Sequence, residues 1–257
     1  MRIENAACVV TGVSSGIGAA AARLLTARGA RVALLARRTE RLTALAAQLP
    51  GSVPLPTDVT DDAQLRAAVA RAVDVFGRVD VLVNDAGQGL HVPLEQLDPG
   101  DLRAVFDLNV VAPLVAMRAV LPDMRERGTG SIVNVSSLTS LRAFAGLGGY
   151  AATKAALNVL SRVARTEFAP AGIAVSLVYP GVTATEFHDH LRAGHLVSRG
   201  EPVRAAPPEW AAAAVVFAIE SGEAHVLVAD PPRALDLGDE ESLADLLART
   251  SRGSGFS

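Results

Sequence analysis

The sequence predicts an α/β fold in which a central parallel sheet of about seven strands is doubly wound and flanked by helices. Short apolar runs alternate with segments of helical periodicity along most of the chain, a pattern typical of a parallel sheet with helices on both faces. Right-handed crossovers then give the doubly wound arrangement. No linker rich in proline or glycine divides the 257 residues. We therefore expect one domain over residues 1–249 and a mobile Ser/Gly-rich tail over residues 250–257.

Seven short apolar runs are the expected strands, at residues 7–10, 31–35, 53–55, 79–83, 131–135, 174–178 and 224–228. The expected helices are a run that ends at residue 28, then 40–49, 61–76, about 101–127, the segment that includes 150–154, 207–220 and about 239–249. We expect Thr60 to cap the third of these helices. Pro113 should bend or locally break the long fourth helix, because proline lacks the N–H that the helix interior needs.

The composition indicates a globular chain, with 50% hydrophobic and 20% charged residues. A net charge of −3 gives no reason to expect a nucleic acid or an anionic membrane as partner. Cys8 is the one cysteine, so no internal disulfide can form, which fits a reducing compartment. No apolar run approaches the length of a membrane span. We expect a cytoplasmic protein.

A glycine-rich turn follows the first expected strand and opens the first helix. Glycines allow close backbone approach, and free N–H groups at a helix N-terminus attract a pyrophosphate. The spacing here is G-x-x-x-G-x-G, which differs from the usual dinucleotide fingerprint G-x-G-x-x-G. The alternative is a tight turn without a ligand. The candidate phosphate-binding residues are Gly12, Ser14, Ser15, Gly16, Ile17 and Gly18.

A second candidate site is the pair formed by Tyr150 and Lys154. Residues four apart share one face of a helix, and a nearby positive charge lowers the pKa of a phenol. The phenol, unperturbed near pH 10, then becomes a usable general acid or base. The pair alone is weak evidence, because the same spacing occurs by chance on many solvated helices. Ser137 lies thirteen positions before Tyr150.

Six motifs in this order and spacing resemble the classical short-chain dehydrogenase/reductase family. They are Thr11-Gly-x-x-x-Gly16-Ile17-Gly18, Asn84-Asp85-Ala86-Gly87, Asn109, Ser137, Tyr150-x-x-x-Lys154 and Pro180-Gly181. Together they cover about residues 5 to 190. The resemblance implies a single-domain Rossmann-type fold and an NAD(P)-dependent oxidoreductase.

The resemblance also implies a catalytic group of Asn109, Ser137, Tyr150 and Lys154. Tyr150 would exchange a proton with the carbonyl or alcohol oxygen, and Ser137 would hold that oxygen. Lys154 would lower the pKa of Tyr150 and bind the nicotinamide ribose. Asn109 would hold a water that links Lys154 to solvent, or would simply accommodate the nearby proline bend. Ser136 competes with Ser137, but only Ser137 has the expected spacing.

Cofactor choice in this family depends on the end of the second strand. An acid there binds the ribose 2′-hydroxyl of NAD, whereas a nearby arginine accommodates the 2′-phosphate of NADP. This chain has Ala36 in the position of the acid, followed by Arg37 and Arg38. An arginine fork suits a phosphate, so we expect NADPH to be the preferred cofactor and NADH a second one. The alternative is that both arginines are solvated charges at a helix start.

Further cofactor contacts follow from the resemblance alone. Asp58 and Val59 would lie at the adenine, unless Asp58 is a plain strand-end cap. Asp85 departs from the family, which usually has asparagine there, and adds a negative charge beside the cofactor strand. The other residues expected at the cofactor are Asn84, Ala86, Gly87, Pro180, Gly181, Val182 and Thr185.

The substrate should lie outside the carboxyl ends of the strands, near residues 88–91, 138–144 and the segment after Thr185. Six mainly apolar residues suggest a moderately apolar carbonyl compound, although core packing also explains half of them: Leu138, Leu141, Phe144, Leu147, Phe187 and Leu191. We assign no metal site to His188, His190 and His195, because no cysteine or carboxylate framework accompanies them.

Beyond residue 195 the resemblance thins, since residues 226–232 lack the Gly-Gly pair that often follows the last strand. Family members are usually dimers or tetramers, and we expect a homodimer or homotetramer. The leading hypothesis is an NADPH-dependent carbonyl reductase that also works as an alcohol dehydrogenase. A non-catalytic dinucleotide-binding regulator and an NAD-linked alcohol dehydrogenase are the alternatives.

Overall fold

A computed structural model describes residues 1–195, 205–229 and 231–235. Its sheet has the strand order β3-β2-β1-β4-β5-β6-β7-β8. The first seven strands are parallel, and β8 pairs with β7 in the antiparallel sense. The strands are β1 Ala7–Thr11, β2 Arg31–Ala36, β3 Val53–Pro56, β4 Val81–Asn84, β5 Gly130–Val135, β6 Ile173–Tyr179, β7 His225–Leu227 and β8 Arg233–Ala234.

Helices cover both faces of the sheet. They are α1 Gly16–Ala27, α2 Thr39–Ala46, α3 Asp62–Phe76, α4 Pro99–Phe106, α5 Ala112–Arg127, α6 Gly148–Phe168 and α7 Pro208–Ser221. Side chains of α1, α2 and α7 form one core on the first face, and those of α3, α5 and α6 form a second core on the other. Along β1, Cys8 and Val10 enter the first core while Ala7 and Val9 enter the second, because successive strand side chains point to opposite faces.

The strand order reverses direction between β1 and β4. The crossovers from β1 lead outward to β2 and β3, whereas those from β4 lead the other way. In open α/β sheets, ligands bind in the crevice outside the carboxyl ends of the strands at such a switch point. The glycine turn after β1 and the residues after β4 therefore meet at the expected binding crevice.

The predicted doubly wound α/β fold is confirmed, with each of the seven expected strands present within about two residues. Strand β8 was not predicted, because two exposed residues give no periodic signal. Thr60 is not the cap of α3: Asp61 accepts the N–H groups of Ala63 and Gln64, and Thr60 instead bonds to Asp58. The expected helix at 239–249 and the tail at 250–257 lie outside the described residues, and the domain boundary at 249 stays a prediction.

The long helical segment from α4 to α5 is interrupted near Pro113, as the sequence predicted. A π turn occupies Asp107–Val111 and ends two residues before the proline. The missing N–H of Pro113 cannot bond to the carbonyl of Asn109 as an α-helix would require. Such π turns often mark functional sites. By length and apolarity this segment could cross a membrane, but half of its most apolar window is buried, as expected for a core helix.

Candidate active site

The glycine turn after β1 lies against the end of β4. Gly12 and Gly16 have φ angles of +77° and +59°, which residues other than glycine rarely adopt. A Cβ on Gly12 would lie 2.7 Å from the backbone nitrogen of Ala86. The hydroxyl of Thr11 accepts the N–H groups of Asp85 and Ala86, each at 3.1 Å. Glycine and threonine thus join the two strand ends at the switch point.

The first turn of α1 is arranged for an anion. Ser15 is the N-cap residue, but its side chain makes no capping hydrogen bond, and the first turn contains no acidic residue. The N–H of Gly18 bonds to the Asp85 carboxylate, whereas the N–H groups that open a helix have no partner within it, and together with the helix dipole they favour a phosphate. Gly16 opens the helix, and Ile17 packs against the core beneath it. These features fit the pyrophosphate of a dinucleotide.

Arg38, not Arg37, lies beside this turn. Its guanidinium donates to the hydroxyls of Ser14, at 3.0 and 2.9 Å, and Ser15, at 2.8 Å. Arg37 is exposed at the end of β2. The sequence emphasised Arg37 because it directly follows Ala36, but Arg38 at the start of α2 is the residue that faces the glycine turn.

Asp85, the departure from the family motif, is half-buried beneath the glycine turn. Its carboxylate accepts the backbone N–H of Gly18, and its Oδ2 would lie 2.8 Å from a Cβ on that glycine. Burial raises the pKa of the Asp85 carboxyl to about 7, while the charge of Lys154 and the Gly18 N–H lower it. The negative charge therefore lies between the glycine turn and the Tyr150–Lys154 pair.

Tyr150 and Lys154 lie on the buried face of α6, at 8% and 5% exposure. Ser137, which follows β5, is hydrogen-bonded to the Tyr150 phenol. The Lys154 ammonium donates to the Val135 carbonyl at 2.9 Å and lies 5.9 Å from the centroid of the Tyr150 ring. The structure thus brings Ser137, Tyr150 and Lys154 together at the carboxyl end of β5.

The expected lowering of the Tyr150 pKa by Lys154 is wrong for the protein alone. Burial raises the pKa of Tyr150 above its usual value, the Ser137 hydrogen bond lowers it, and the charge of Asp85 raises it further. Burial also lowers the pKa of Lys154 to about 8, and Asp85 opposes that change. Desolvation of the charged form is the largest cause of the pKa shift in both residues.

Asn109 lies in the π turn and is fully buried. Its side chain accepts the N–H of Gln88 and donates to the carbonyl of the same residue, both at 3.0 Å, and it also donates to the Thr153 hydroxyl at 3.0 Å. The side chain is therefore engaged in joining the segment after β4 to α6. Gly87 lies beside it, where a Cβ would be 3.1 Å from the Asn109 Oδ1 and 3.5 Å from the Lys154 Nζ.

Three other candidate residues have structural partners. Ser136 bonds to Asn158 within the core and not to Tyr150, which separates it from Ser137. Asn84 donates across the sheet to Asn134 at 2.8 Å. Asp58 accepts the N–H and hydroxyl of Thr60 in a local turn, and its contact with the adenine stays a prediction. Val59 beside it is buried.

The segment after β6 reaches the same crevice. The Pro180 carbonyl accepts the N–H of Leu138 at 3.0 Å, while Gly181 and Val182 are exposed. The Thr185 hydroxyl accepts the N–H of Phe187. The Thr185 methyl group lies 3.1 Å from the position of a Cβ on Gly16, so this segment contacts the glycine turn directly.

Comparison with known proteins decides the family. Residues 6–195 match the family described as short chain dehydrogenase, which is well over half of the chain.

The chain belongs to the short-chain dehydrogenase/reductase family.

Named relatives and solved structures agree with this assignment. The chain is 34% identical over 194 residues to an uncharacterized oxidoreductase of Staphylococcus saprophyticus, covering 74% of this chain and 79% of that protein. It is 35% identical over 231 residues to the glycine betaine reductase ATRR of Emericella nidulans. That match covers 87% of this chain but only 18% of the fungal protein, so the chain corresponds to about one fifth of it.

Among solved structures, a short-chain dehydrogenase from Streptomyces avermitilis has a TM-score of 0.79 and 34% identity, covering 98% of this chain and 100% of that chain. A 3-ketoacyl-(acyl-carrier-protein) reductase from Brucella melitensis complexed with NADH has a TM-score of 0.79 and 26% identity, covering 88% and 97%. Membership in the family makes the protein an NAD(P)-dependent oxidoreductase that binds a nucleotide cofactor and a small-molecule substrate.

In this short-chain dehydrogenase, two segments meet over Tyr150. Residues 88–92 follow β4, and residues 185–194 follow β6. Three hydrogen bonds join them: Gln88 Nε2 to the His190 carbonyl at 2.8 Å, the Arg192 N–H to the Gly89 carbonyl at 2.8 Å, and the His91 N–H to the Ala193 carbonyl at 3.1 Å. The Tyr150 ring lies 5.6 Å from that of Phe187 and 6.2 Å from that of His91.

Only some of the expected apolar residues lie in the two segments that meet over Tyr150. Phe187 contacts Tyr150, and Leu191 lies against Gly89. Leu138 and Leu141 instead pack on the small core of β6 and β7, and Leu147 is buried at the start of α6. Phe144 stacks with the Arg142 guanidinium. Sequence spacing alone did not separate these two surfaces, because both follow strand ends.

Proposed function

We propose that this protein is an NADPH-dependent carbonyl reductase that also runs in reverse as an alcohol dehydrogenase. Its substrates would be ketones, aldehydes and secondary alcohols. The observation that carries the proposal is the Ser137–Tyr150 hydrogen bond beside the buried Lys154 ammonium. It lies at the carboxyl ends of the strands, where the glycine turn also lies. A proton donor, an oxygen-holding hydroxyl and a cation then converge where a dinucleotide fits.

A bound nicotinamide would supply or accept the hydride. Tyr150 would donate its proton to the carbonyl oxygen in reduction and take it back in oxidation. Because burial keeps its pKa high, Tyr150 is protonated at neutral pH and suited to donation. Ser137 would hold the same oxygen and stabilise developing charge. Lys154 would hold the nicotinamide ribose, and the π turn at Asn109 would position the segment beside it.

The preference for NADPH rests on the arginines after β2. Arg38 lies at the glycine turn through Ser14 and Ser15, and Arg41 is one helical turn away on α2. Two guanidinium groups suit a 2′-phosphate, whereas the carboxylate that would favour NADH is replaced by Ala36. NADH remains a second cofactor.

The surroundings of Tyr150 favour an apolar or aromatic carbonyl compound. Leu90 and Val105 are buried beside the tyrosine, and Val92, Leu97 and Phe187 pack against the same cluster. A non-catalytic dinucleotide-binding regulator would not need the Ser137–Tyr150 hydrogen bond, which speaks against that alternative. An NAD-linked alcohol dehydrogenase differs only in cofactor and direction.

Assembly and location complete the proposal. Exposed apolar side chains on the α4–α5 segment and on α6 suit an interface between copies of the chain, and they support a homodimer or homotetramer: Phe106, Val111, Val159 and Val163. We further propose a cytoplasmic location, with neither nucleic acid nor membrane as partner.

The test is cofactor titration followed by turnover over a panel of ketones and aldehydes. Tyr150→Phe should reduce kcat at least about 100-fold, the usual scale for loss of a general acid, while the NADPH Kd changes less than about twofold. The other tyrosine of the chain is the control: Tyr179 is buried and bonds to His225, so Tyr179→Phe should keep turnover. Substantial activity in Tyr150→Phe would mean that another acid carries the reaction. Cofactor binding without turnover of any carbonyl would favour the regulator.

A further inference from the structure

Glu186 occupies the arginine pair beside the glycine turn. Its Oε2 accepts from the Arg38 Nη1 at 3.0 Å. Arg41 Nη1 contacts both carboxylate oxygens, at 2.8 and 2.7 Å. The two arginines come from the start of α2, whereas Glu186 opens the short helix Glu186–His190 after β6. An acid from the substrate side of the crevice therefore neutralises part of the charge that a 2′-phosphate would use.

The hydrogen bonds of Arg38 show what a phosphate would have to displace. Its Nε and Nη2 donate to Ser14 and Ser15, and its Nη1 donates to Glu186. The serine contacts fix the guanidinium at the turn, so the Nη1 edge is the part that can exchange partners. Arg41 is bound to Glu186 through Nη1 alone. Arg41 and Arg38 lower the pKa of the Glu186 carboxyl to about 2, so the carboxylate is charged throughout the neutral range.

The same short segment reaches the reacting end of the crevice. Thr185 contacts the glycine turn at Gly16, and Phe187 contacts Tyr150. His190, at the end of the short helix, places its Nε2 3.5 Å from the Glu186 carboxylate. Displacement of Glu186 therefore takes place on a segment that also borders Tyr150.

We propose that Glu186 is a specificity-determining residue that limits the discrimination between NADP(H) and NAD(H) by competing with the 2′-phosphate for Arg38 and Arg41. NADP(H) binds only when its phosphate replaces the carboxylate, whereas NAD(H) has no group that needs the arginine pair. This inference rests on the proposed dinucleotide site, but not on which cofactor the protein prefers.

The experiment is calorimetric titration of the full chain with NADP⁺ and with NAD⁺. Glu186→Gln removes the charge and keeps the size of the side chain. The NADP⁺ Kd should fall about three- to tenfold, the scale of exposed ion pairs together with a removed like charge. The NAD⁺ Kd should change less than about twofold. A loss of structure would weaken both cofactors, so the ratio of the two Kd values reports the competition itself.

Glu40→Gln is the matched control. Glu40 is an exposed carboxylate on α2, next to Arg41 in sequence, so its replacement removes the same charge near the arginine pair without breaking the Glu186 contacts. It should leave the ratio of the Kd values unchanged. An equal gain in NADP⁺ affinity in both variants would show a general charge effect and overturn the proposal. An unchanged or weaker NADP⁺ affinity in Glu186→Gln would also overturn it.

The wild-type titration separates this proposal from the proposed function. Tighter binding of NAD⁺ than of NADP⁺ by the wild-type chain would refute the NADPH preference, while a selective gain of NADP⁺ affinity in Glu186→Gln would still support the role of Glu186. Absence of NADP⁺ binding in both the wild type and Glu186→Gln would overturn the proposal that Glu186 competes with the 2′-phosphate.

Discussion

Replacing Asp85 by asparagine should stabilise the protein, most strongly at alkaline pH. The half-buried carboxylate lies beneath the glycine turn and accepts the Gly18 N–H. Asparagine keeps the shape and can accept the same hydrogen bond through its amide oxygen, but it has no charge to bury. The variant therefore removes a desolvation cost and leaves the local contacts in place.

The size of the effect follows from the pKa of Asp85. Burial raises it from 3.8 to about 7, and each tenfold change in proton affinity corresponds to about 1.4 kcal/mol, so ionised Asp85 costs at most about 4 kcal/mol. Because the native state holds the Asp85 proton more tightly than the unfolded state does, the free energy of unfolding falls as the pH rises. The cost is absent below the unfolded pKa, grows from about pH 4 to 7 and is constant above. This net value already includes the attraction between Lys154 and the Asp85 carboxylate.

The assay is denaturant or thermal unfolding of both proteins between pH 4 and 9. We expect equal free energies of unfolding near pH 4 and an advantage for Asp85→Asn of a few kcal/mol at pH 8, which raises Tm by about 10 °C for a chain of this size. Asp74→Asn is the control, because Asp74 is exposed on α3 and its replacement should give no pH-dependent difference. A stability difference that does not change with pH, or a less stable Asp85→Asn at pH 8, would refute the reasoning.

Two further predictions concern the rest of the first strand and its turn. Gly12→Ala should cost about 2–4 kcal/mol of stability and weaken dinucleotide binding, because Gly12 has φ +77° and an added Cβ would meet Ala86. The control Gly77→Ala, with φ +81° and open space around the residue, should cost about 1 kcal/mol in the same unfolding assay. Equal costs in the two variants would contradict the steric argument. Cys8 is fully buried, and burial raises the pKa of its thiol, so a thiol reagent should modify it only as fast as the protein unfolds; rapid labelling of the native protein would show that β1 is accessible.

The sequence identified the features that depend on local pattern. Buried strands, the glycine turn and the Tyr150–Lys154 spacing each lie within a few residues, so apolar periodicity and motif spacing were enough to place them. Ser137 was separated from Ser136 by spacing alone, and the structure then gave a physical reason, since only Ser137 bonds to the phenol. The bend at Pro113 followed from its missing N–H.

Features that join distant segments could not be read in this way. Glu186 lies 148 residues from Arg38, and Asn84 lies 50 residues from Asn134, so only the fold shows that they meet. The high pKa of Tyr150 was missed for the same reason, because the motif reveals the nearby charge of Lys154 but not the depth of burial. The sequence offers one signal for Glu186, an acid directly after Thr185. That pattern is common at the start of short helices.

The Asp85 carboxylate, which we expect to destabilise the fold, also supports the charged form of Lys154. Burial lowers the pKa of Lys154 to about 8, and Asp85 opposes that change. In Asp85→Asn the pKa of Lys154 should therefore fall further, and at pH 8 most of the lysine would lose its proton. We expect kcat of the variant to match the wild type near pH 6 and to fall below it between pH 7 and 9, although the variant is the more stable protein. A kcat ratio that stays constant over this range would show that Asp85 does not act through Lys154. A more stable but less active variant would indicate that the Asp85 charge is retained for the protonation state of Lys154, as expected where activity requires a locally unfavourable site.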